Sequence, residues 1–222
     1  MSHLTTSTPA IALGTCIGLA AGLYGPRAAR RSAGRSGPGG ARPAAPAAFD
    51  WLVPILGAGF GALVGARFGV SARLPAYLYL AALAPVLGAA DAATKRLPNR
   101  VLLPAYPIVM VLLAFAAWRA GETSALWRAV AAGTALYGLF LVVALVVAPG
   151  SLGFGDVKLA GLLGLFIGFL GWATVWIALM IAFGSAALYV VLRALLRRGP
   201  RIQTLPLGPV LLLGSLVAAI VA

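Results

Sequence analysis

Apolar stretches close to the length of a membrane-spanning helix recur from end to end of this 222-residue chain. Each is near the ~17–25 residues that an α-helix needs to cross a bilayer. They cover residues 9–25, 51–72, 74–90, 101–118, 125–148, 157–172, 173–192 and 203–222. The pattern predicts an all-α protein, a polytopic transmembrane helix bundle of about eight spans.

The content of charged residues agrees with this class. Only 9% of the residues are charged and 62% are hydrophobic, with a mean hydropathy of +1.01. A soluble domain carries roughly 25% charged residues, so this chain lacks the polar surface that water requires. The lipid bilayer is therefore its expected environment.

Metal and disulfide chemistry have little support in the residue counts. Cys16 is the single cysteine, which excludes an intramolecular disulfide and a multi-cysteine zinc site. His3 is the single histidine and lies in a polar terminal tail. We therefore expect no metal and no cofactor.

Lysine and arginine residues are distributed unevenly between the two sides of the membrane if the N-terminus lies outside. Thirteen of the seventeen basic residues then lie in inner segments. These are Arg27, Arg30, Arg31, Arg35, Arg42, Lys95, Arg96, Arg100, Lys158, Arg193, Arg197, Arg198 and Arg201. The outer ends keep Arg67, Arg73, Arg119 and Arg128. The positive-inside rule favours this orientation in the cell membrane, and it explains the net charge of +13 without a nucleic-acid partner.

Three regions follow from the pattern. Residues 1–25 hold a short outer tail and the first span, which we read as retained, and residues 26–50 form a basic Gly/Pro/Ala linker in the cytosol. Residues 51–222 form the transmembrane core. No signal in the chain predicts its oligomeric state.

Glycines repeat every four residues inside two of the apolar runs. In GAGFGALVG, residues 57–65, the first, fifth and ninth positions are glycine, and Gly164 and Gly168 repeat the spacing. This spacing places small residues on one helix face, where a neighbouring backbone can approach closely. It predicts helix packing rather than a nucleotide-binding loop, because no strand precedes it.

The chain has only four acidic residues, and two of them are easily explained. Glu122 lies in a short outer loop, where solvation accounts for it, and Asp50 precedes the second span, where it can cap the helix. Asp91 and Asp156 both come out at the inner edge of the membrane. Acids in membrane segments are costly and usually mark function. A structural reading stays open, in which Asp156 caps a helix and Asp91 joins a span to a turn.

Each of these two aspartates lies in a short motif. Asp91 begins DAATKRLPN, where Pro98 and Asn99 follow seven and eight residues later. Asp156 ends GFGD, and Lys158 follows in VKL.

The pair of motifs resembles those of the type IV prepilin peptidases, membrane-embedded aspartic proteases that remove leader peptides from prepilins and pseudopilins. The second motif matches their Gly-x-Gly-Asp-x-Lys signature through Gly153, Gly155, Asp156 and Lys158. The likeness extends from about residue 51 and includes the Pro/Gly-rich start of the last span, residues 205–214. It implies cleavage at the cytosolic membrane edge, after a glycine.

The resemblance implies that Asp91 and Asp156 are the catalytic pair. Two carboxylates that share one proton can activate water and hydrogen-bond the scissile carbonyl. We expect Gly153 and Gly155 to allow backbone angles closed to other residues and a close approach of substrate. Asp156 then begins a helix whose positive end favours its ionised form.

The three remaining motif residues have supporting roles. Lys158 either stabilises the ionised form of Asp156, attracts an acidic substrate group or simply snorkels to the headgroups. Pro98 and Asn99 are expected to end a turn and position Asp91.

The chain departs from longer family members in one region. Those members carry paired CxxC motifs between the first two spans, where this chain has the Gly/Pro/Ala linker. N-methyltransferase activity is associated with that region, so the resemblance implies the peptidase and leaves methylation in doubt.

Two other functions remain alternatives. A small ion- or proton-coupled transporter could use both aspartates as ion sites, although carrier sites usually lie near the bilayer midplane. The presenilin-like branch of intramembrane proteases shares Gly-x-Gly-Asp, but there a tyrosine precedes the first aspartate, where this chain has Ala90.

Overall fold

The computed structural model describes residues 2–33, 48–94, 97–147, 152–196 and 207–222, which form eight α-helices and no strand. The helices are α1 (Ser2–Ala33), α2 (Ala48–Phe68), α3 (Leu74–Thr94), α4 (Asn99–Ala120), α5 (Thr123–Val142), α6 (Phe154–Leu170), α7 (Trp172–Leu195) and α8 (Leu207–Val221). A π-helical turn, Val143–Val147, continues α5.

The predicted class is confirmed as a helical membrane bundle. Among the described residues, α3, α4, α5 and α7 are long and apolar enough to cross a membrane. Three shorter apolar helical segments accompany them, Thr8–Tyr24, Leu52–Phe68 and Leu207–Val221.

Helix boundaries differ from the apolar runs at the N-terminal side of the chain. Helix α1 continues to Ala33, eight residues beyond the predicted span, because the run of Arg and Ala after it is itself compatible with a helix. Helix α2 begins at Ala48, so Asp50 lies in its first turn and the predicted N-cap role is wrong. The linker residues 34–47 lie outside the described residues, as do Lys95 and Arg96.

The chain divides into two compact units, Met1–Thr123 and Ser124–Ala222. In unit 1, the glycine face predicted on α2 packs against a matching face on α1. A Cβ added to Gly61 would overlap the carbonyl oxygen of Gly14, and one added to Gly57 would overlap that of Gly18. The glycine spacing of α2 thus serves close backbone packing, as predicted.

Helix α3 lies against this pair of helices. The Leu78 side chain lies 3.3 Å from the position that a Cβ on Gly14 would occupy. The Pro85 side chain lies 3.5 Å from the position that a Cβ on Gly57 would occupy. In the candidate span Leu74–Asp91, 72% of the residues are buried, against 33% in the span of α4. Helix α3 is therefore an interior helix of unit 1.

An ion pair joins two loops at one end of unit 1. Gly121 ends α4 in the left-handed conformation, with φ of 69°, and Glu122 follows. The guanidinium of Arg73 donates to both carboxylate oxygens of Glu122, at 2.8 and 2.6 Å. Solvation alone, which the sequence suggested for Glu122, is therefore not the whole explanation. The loop between α2 and α3 is tied to the loop between α4 and α5.

Helix α6 is the interior helix of unit 2. Val157 and every residue from Leu159 to Phe169 are buried. A helix that is apolar on all sides packs in the interior, which fits this burial. Its predicted small-residue face is confirmed, because a Cβ on Gly164 would stand 2.7 Å from the Cα of Gly133 on α5.

Helix α7 shows the opposite pattern, because most of its apolar side chains are exposed. Only 17% of its candidate span is buried, and Trp176, Met180 and Leu188 are each about 60% exposed. Exposed apolar side chains on a helix long enough to span a membrane are those expected to meet lipid.

Candidate active site

Asp91 lies inside α3, one turn before its end, and not in the turn that follows. Its side chain is buried, with 4% of the residue exposed. It is the only charged residue among the buried ones in the described part of the chain. An ionisable group withdrawn from water is costly to place, so a simple role in joining a helix to a turn accounts poorly for this position.

Pro98 and Asn99 lie at the start of the next helix. Pro98 is the N-cap residue of α4, with φ of −70° and ψ of 113°, and its carbonyl accepts the N–H groups of Val101 and Leu102. Asn99 is the first residue of α4 and is exposed. Both residues therefore begin a helix, and their effect on Asp91 stays a prediction.

Asp156 lies in the first turn of α6, which begins at Phe154, so the predictions that Asp156 caps or begins the helix are wrong. Its N–H donates to the carbonyl of Gly153, the N-cap residue, at 2.9 Å. Its Oδ2 atom lies 3.5 Å from the position that a Cβ on Gly153 would occupy. The half-buried carboxylate thus folds back toward the start of the helix, where the helix dipole favours a negative charge.

The conformational reason given for the two motif glycines is wrong. Gly153 has φ of −75° and ψ of 141°, values that any residue adopts, and Gly155 is the second residue of α6. Positive φ angles occur elsewhere in the described chain, at Gly69, Gly121 and Gly171. A Cβ on Gly153 would make an ordinary van der Waals contact with the Asp156 carboxylate, so the room around Gly153 does not require glycine either.

Lys158 is half-buried on α6, between the buried residues Val157 and Leu159. Asp156 and Lys158 both lie near the start of α6, so both belong to unit 2. Asp91, Pro98 and Asn99 belong to unit 1. The pairing of the two carboxylates, and the role of Lys158, stay predictions.

No cluster of three or more His, Cys, Asp or Glu side chains occurs in the part of the chain that the structure describes. The chemistry available at these positions is that of carboxylates, which can exchange protons with water and accept or donate hydrogen bonds.

Arg128 is a residue whose role the sequence did not reveal. It lies on α5, and its side chain donates to the last carbonyls of α6, from Nε to Gly168 at 2.9 Å and from Nη2 to Phe169 at 2.8 Å. These carbonyls lack partners within their own helix. The signal was an arginine placed inside the apolar run of residues 125–148.

We expect the Arg128→Gln substitution to lower the free energy of unfolding by about 2 kcal/mol, because it removes two charge-assisted hydrogen bonds to partly buried carbonyls. Thermal unfolding of the detergent-solubilised protein measures the change as a lower Tm. Arg100→Gln removes the same charge from an exposed side chain and should leave Tm near the wild-type value. An equal fall in both variants would contradict the role of Arg128.

Residues 77–192, just over half of the chain, match the type IV leader peptidase family. The matched stretch includes both Asp91 and Asp156. The chain belongs to the type IV leader peptidase family. The match is shorter than the resemblance suggested, because residues 51–76 and the Pro/Gly-rich stretch 205–214 lie outside it.

This family member is also similar to the prepilin leader peptidase/N-methyltransferase of Bacillus subtilis (strain 168). The two are 31% identical over 158 residues, which is 71% of this chain and 60% of that protein. The chain thus spans less than two thirds of the relative's length. No solved structure matches the chain.

Proposed function

We propose that this member of the type IV leader peptidase family is an intramembrane aspartic endopeptidase that removes the leader peptide of prepilin-like proteins. The observation that carries the proposal is Asp91, a buried carboxylic acid on the interior helix α3, within the family-matched residues. Asp156 is the proposed partner, at the exposed start of the interior helix α6. Cleavage is proposed at the cytosolic edge of the cell membrane, after a glycine.

The proposed reaction needs the two carboxylates to share one proton. The ionised carboxylate takes a proton from a water molecule, whose oxygen attacks the scissile carbonyl carbon while the protonated carboxyl donates a hydrogen bond to the carbonyl oxygen. Collapse of the tetrahedral intermediate breaks the C–N bond, and a proton passes to the leaving amine. The burial of Asp91 favours this chemistry, because a hydrogen bond to the scissile carbonyl is stronger where bulk water is excluded.

The proposed orientation follows the charges in the sequence. Asp91 lies four residues before Lys95 and nine before Arg100, and a cytosolic location of basic segments is the general rule. A site on that side would meet the leader of a prepilin, which precedes its hydrophobic helix.

Co-expression with a candidate prepilin tests the function. We expect the leader to be removed, seen as a faster-migrating pilin band, and the same prepilin with its junction glycine replaced should remain uncut. An intact prepilin band in the presence of membrane-inserted enzyme would contradict the proposal. A transporter would leave the substrate uncut while changing ion flux.

Methylation has a separate readout. We propose that the chain lacks N-methyltransferase activity, because the linker of residues 26–50 has no CxxC motif. Mass spectrometry of the cleaved pilin should give an unmodified N-terminus. A mass increase of one methyl group would overturn this part of the proposal and leave the peptidase intact.

A further inference from the structure

A basic cleft of about 430 Å³ opens at one end of unit 1, and neither Asp91 nor Asp156 is among its lining residues. Its lining includes Arg67 at the end of α2, Arg73 in the following turn and Arg119 at the end of α4. Ser71 adds a hydroxyl to the same lining. Three of the four arginines that the sequence assigns to outer ends therefore meet in one place.

Two of these guanidinium groups are held in position by other side chains. The guanidinium carbon of Arg67 lies 5.6 Å from the ring centroid of Phe68, which stacks on the buried ring of Tyr77 at 4.2 Å. Arg73 is held by its ion pair with Glu122. A cleft with positioned guanidinium groups loses less conformational entropy when an anion binds.

The charge of the cleft fits a phosphate group. Three guanidinium groups and the single carboxylate of Glu122 leave an excess of positive charge around the lining. Guanidinium groups bind phosphate oxygens through paired N–H donors, and a serine hydroxyl can donate a further hydrogen bond.

The location of the cleft indicates the source of that phosphate. Arg73 precedes the first residue of α3, whereas Asp91 lies near its last turn, roughly 25 Å away at about 1.5 Å per residue. This separation approaches the ~30 Å thickness of the hydrocarbon core. With Asp91 at the proposed cytosolic edge, the cleft is therefore at the level of the opposite headgroups. Val70 and Trp118, next to lining residues in the chain, are 73% and 74% exposed and offer an apolar flank.

We propose that this cleft binds the phosphodiester headgroup of an anionic phospholipid, with Arg67 and Arg119 as its main ligands. The acyl chains would lie along the apolar flank formed by Val70 and Trp118. The cleft lies at the end of α3 opposite to Asp91, so it is separate from that proposed catalytic residue.

Native mass spectrometry of the full chain, released from micelles with equal phosphatidylglycerol and phosphatidylcholine, tests the proposal. The wild type should retain phosphatidylglycerol in preference to phosphatidylcholine. Arg67→Gln and Arg119→Gln should each weaken that preference about tenfold, the effect of losing one charge-assisted contact. Arg100→Gln removes the same charge from the other end of α4 and should keep the wild-type preference.

Two further measurements distinguish specific lipid binding from other causes of a lost preference. Arg67→Lys and Arg119→Lys keep the charge but lose the paired N–H donors, so each should retain an intermediate preference. An unchanged charge-state distribution of the protein ions in all four variants distinguishes lost binding from lost folding. Inorganic phosphate alone, at millimolar concentration, should not displace the lipid. Displacement by inorganic phosphate, or an equal loss in Arg100→Gln, would overturn the proposal in favour of a soluble anion or of general surface charge.

Discussion

Asp91→Asn should reduce prepilin cleavage by about 10²–10⁴-fold, the range that a positioned proton-transfer group contributes. The amide has nearly the same shape as the carboxyl but cannot be ionised at neutral pH. It also removes an ionisable group from a buried position, so the free energy of unfolding should not fall. Loss of cleavage with unchanged Tm is thus the expected result, measured by the pilin mobility shift and by thermal unfolding.

Asp156→Asn should cause a loss of similar size, and the double variant should be no worse than either single variant. Groups that act as one catalytic unit give non-additive effects. Asp50 lies outside the family-matched residues, so Asp50→Asn is the matched control, and this variant should cleave the prepilin normally. Persistent cleavage in either single variant, or losses that multiply in the double variant, would refute the proposed pair.

Gly61→Ala should destabilise the protein, whereas Gly59→Ala on the same helix should not. A Cβ at Gly61 would overlap the carbonyl of Gly14, and backbone atoms on both sides must then separate. Overpacking of this kind costs about 1–3 kcal/mol. At Gly59 nothing lies within 4 Å of the new methyl group, and alanine favours a helix over glycine by roughly 0.5–1 kcal/mol.

Thermal unfolding of the two variants in detergent gives the comparison. The expected result is a lower Tm for Gly61→Ala and an equal or higher Tm for Gly59→Ala. The same direction of change in both would mean that glycine composition, and not the contact with α1, determines the effect.

The class of the fold was predictable from the sequence because hydrocarbon imposes a length on each spanning helix. The packing face of α2 was predictable for a similar reason, since glycine spacing marks a close approach. Its partner was missed, although Gly14, Gly18 and Gly22 repeat the same interval. A small-residue face on one helix does not by itself identify the helix that packs against it.

The polar contacts were harder to predict from the sequence. Glu122 was assigned to solvent because its partner, Arg73, lies 49 residues away in sequence. Arg128 binds carbonyls of α6, and every residue has a carbonyl, so no residue type could signal the partner. Gly153 was given a conformational role that its ordinary dihedral angles do not require. Motif spacing predicted which residues carry the chemistry, but it did not predict the backbone conformation of the motif glycines.

The packing of α3 against α1 and α2 limits how far this protein can be shortened. The family-matched stretch begins at residue 77, so a chain trimmed to it would lose both supporting helices. Tyr77 would lose its stacking partner Phe68 on α2, and Leu78 and Pro85 would lose the glycine faces of α1 and α2 that they contact. The matched stretch is therefore not a portable module, and a minimal version of the protein must keep its first two helices.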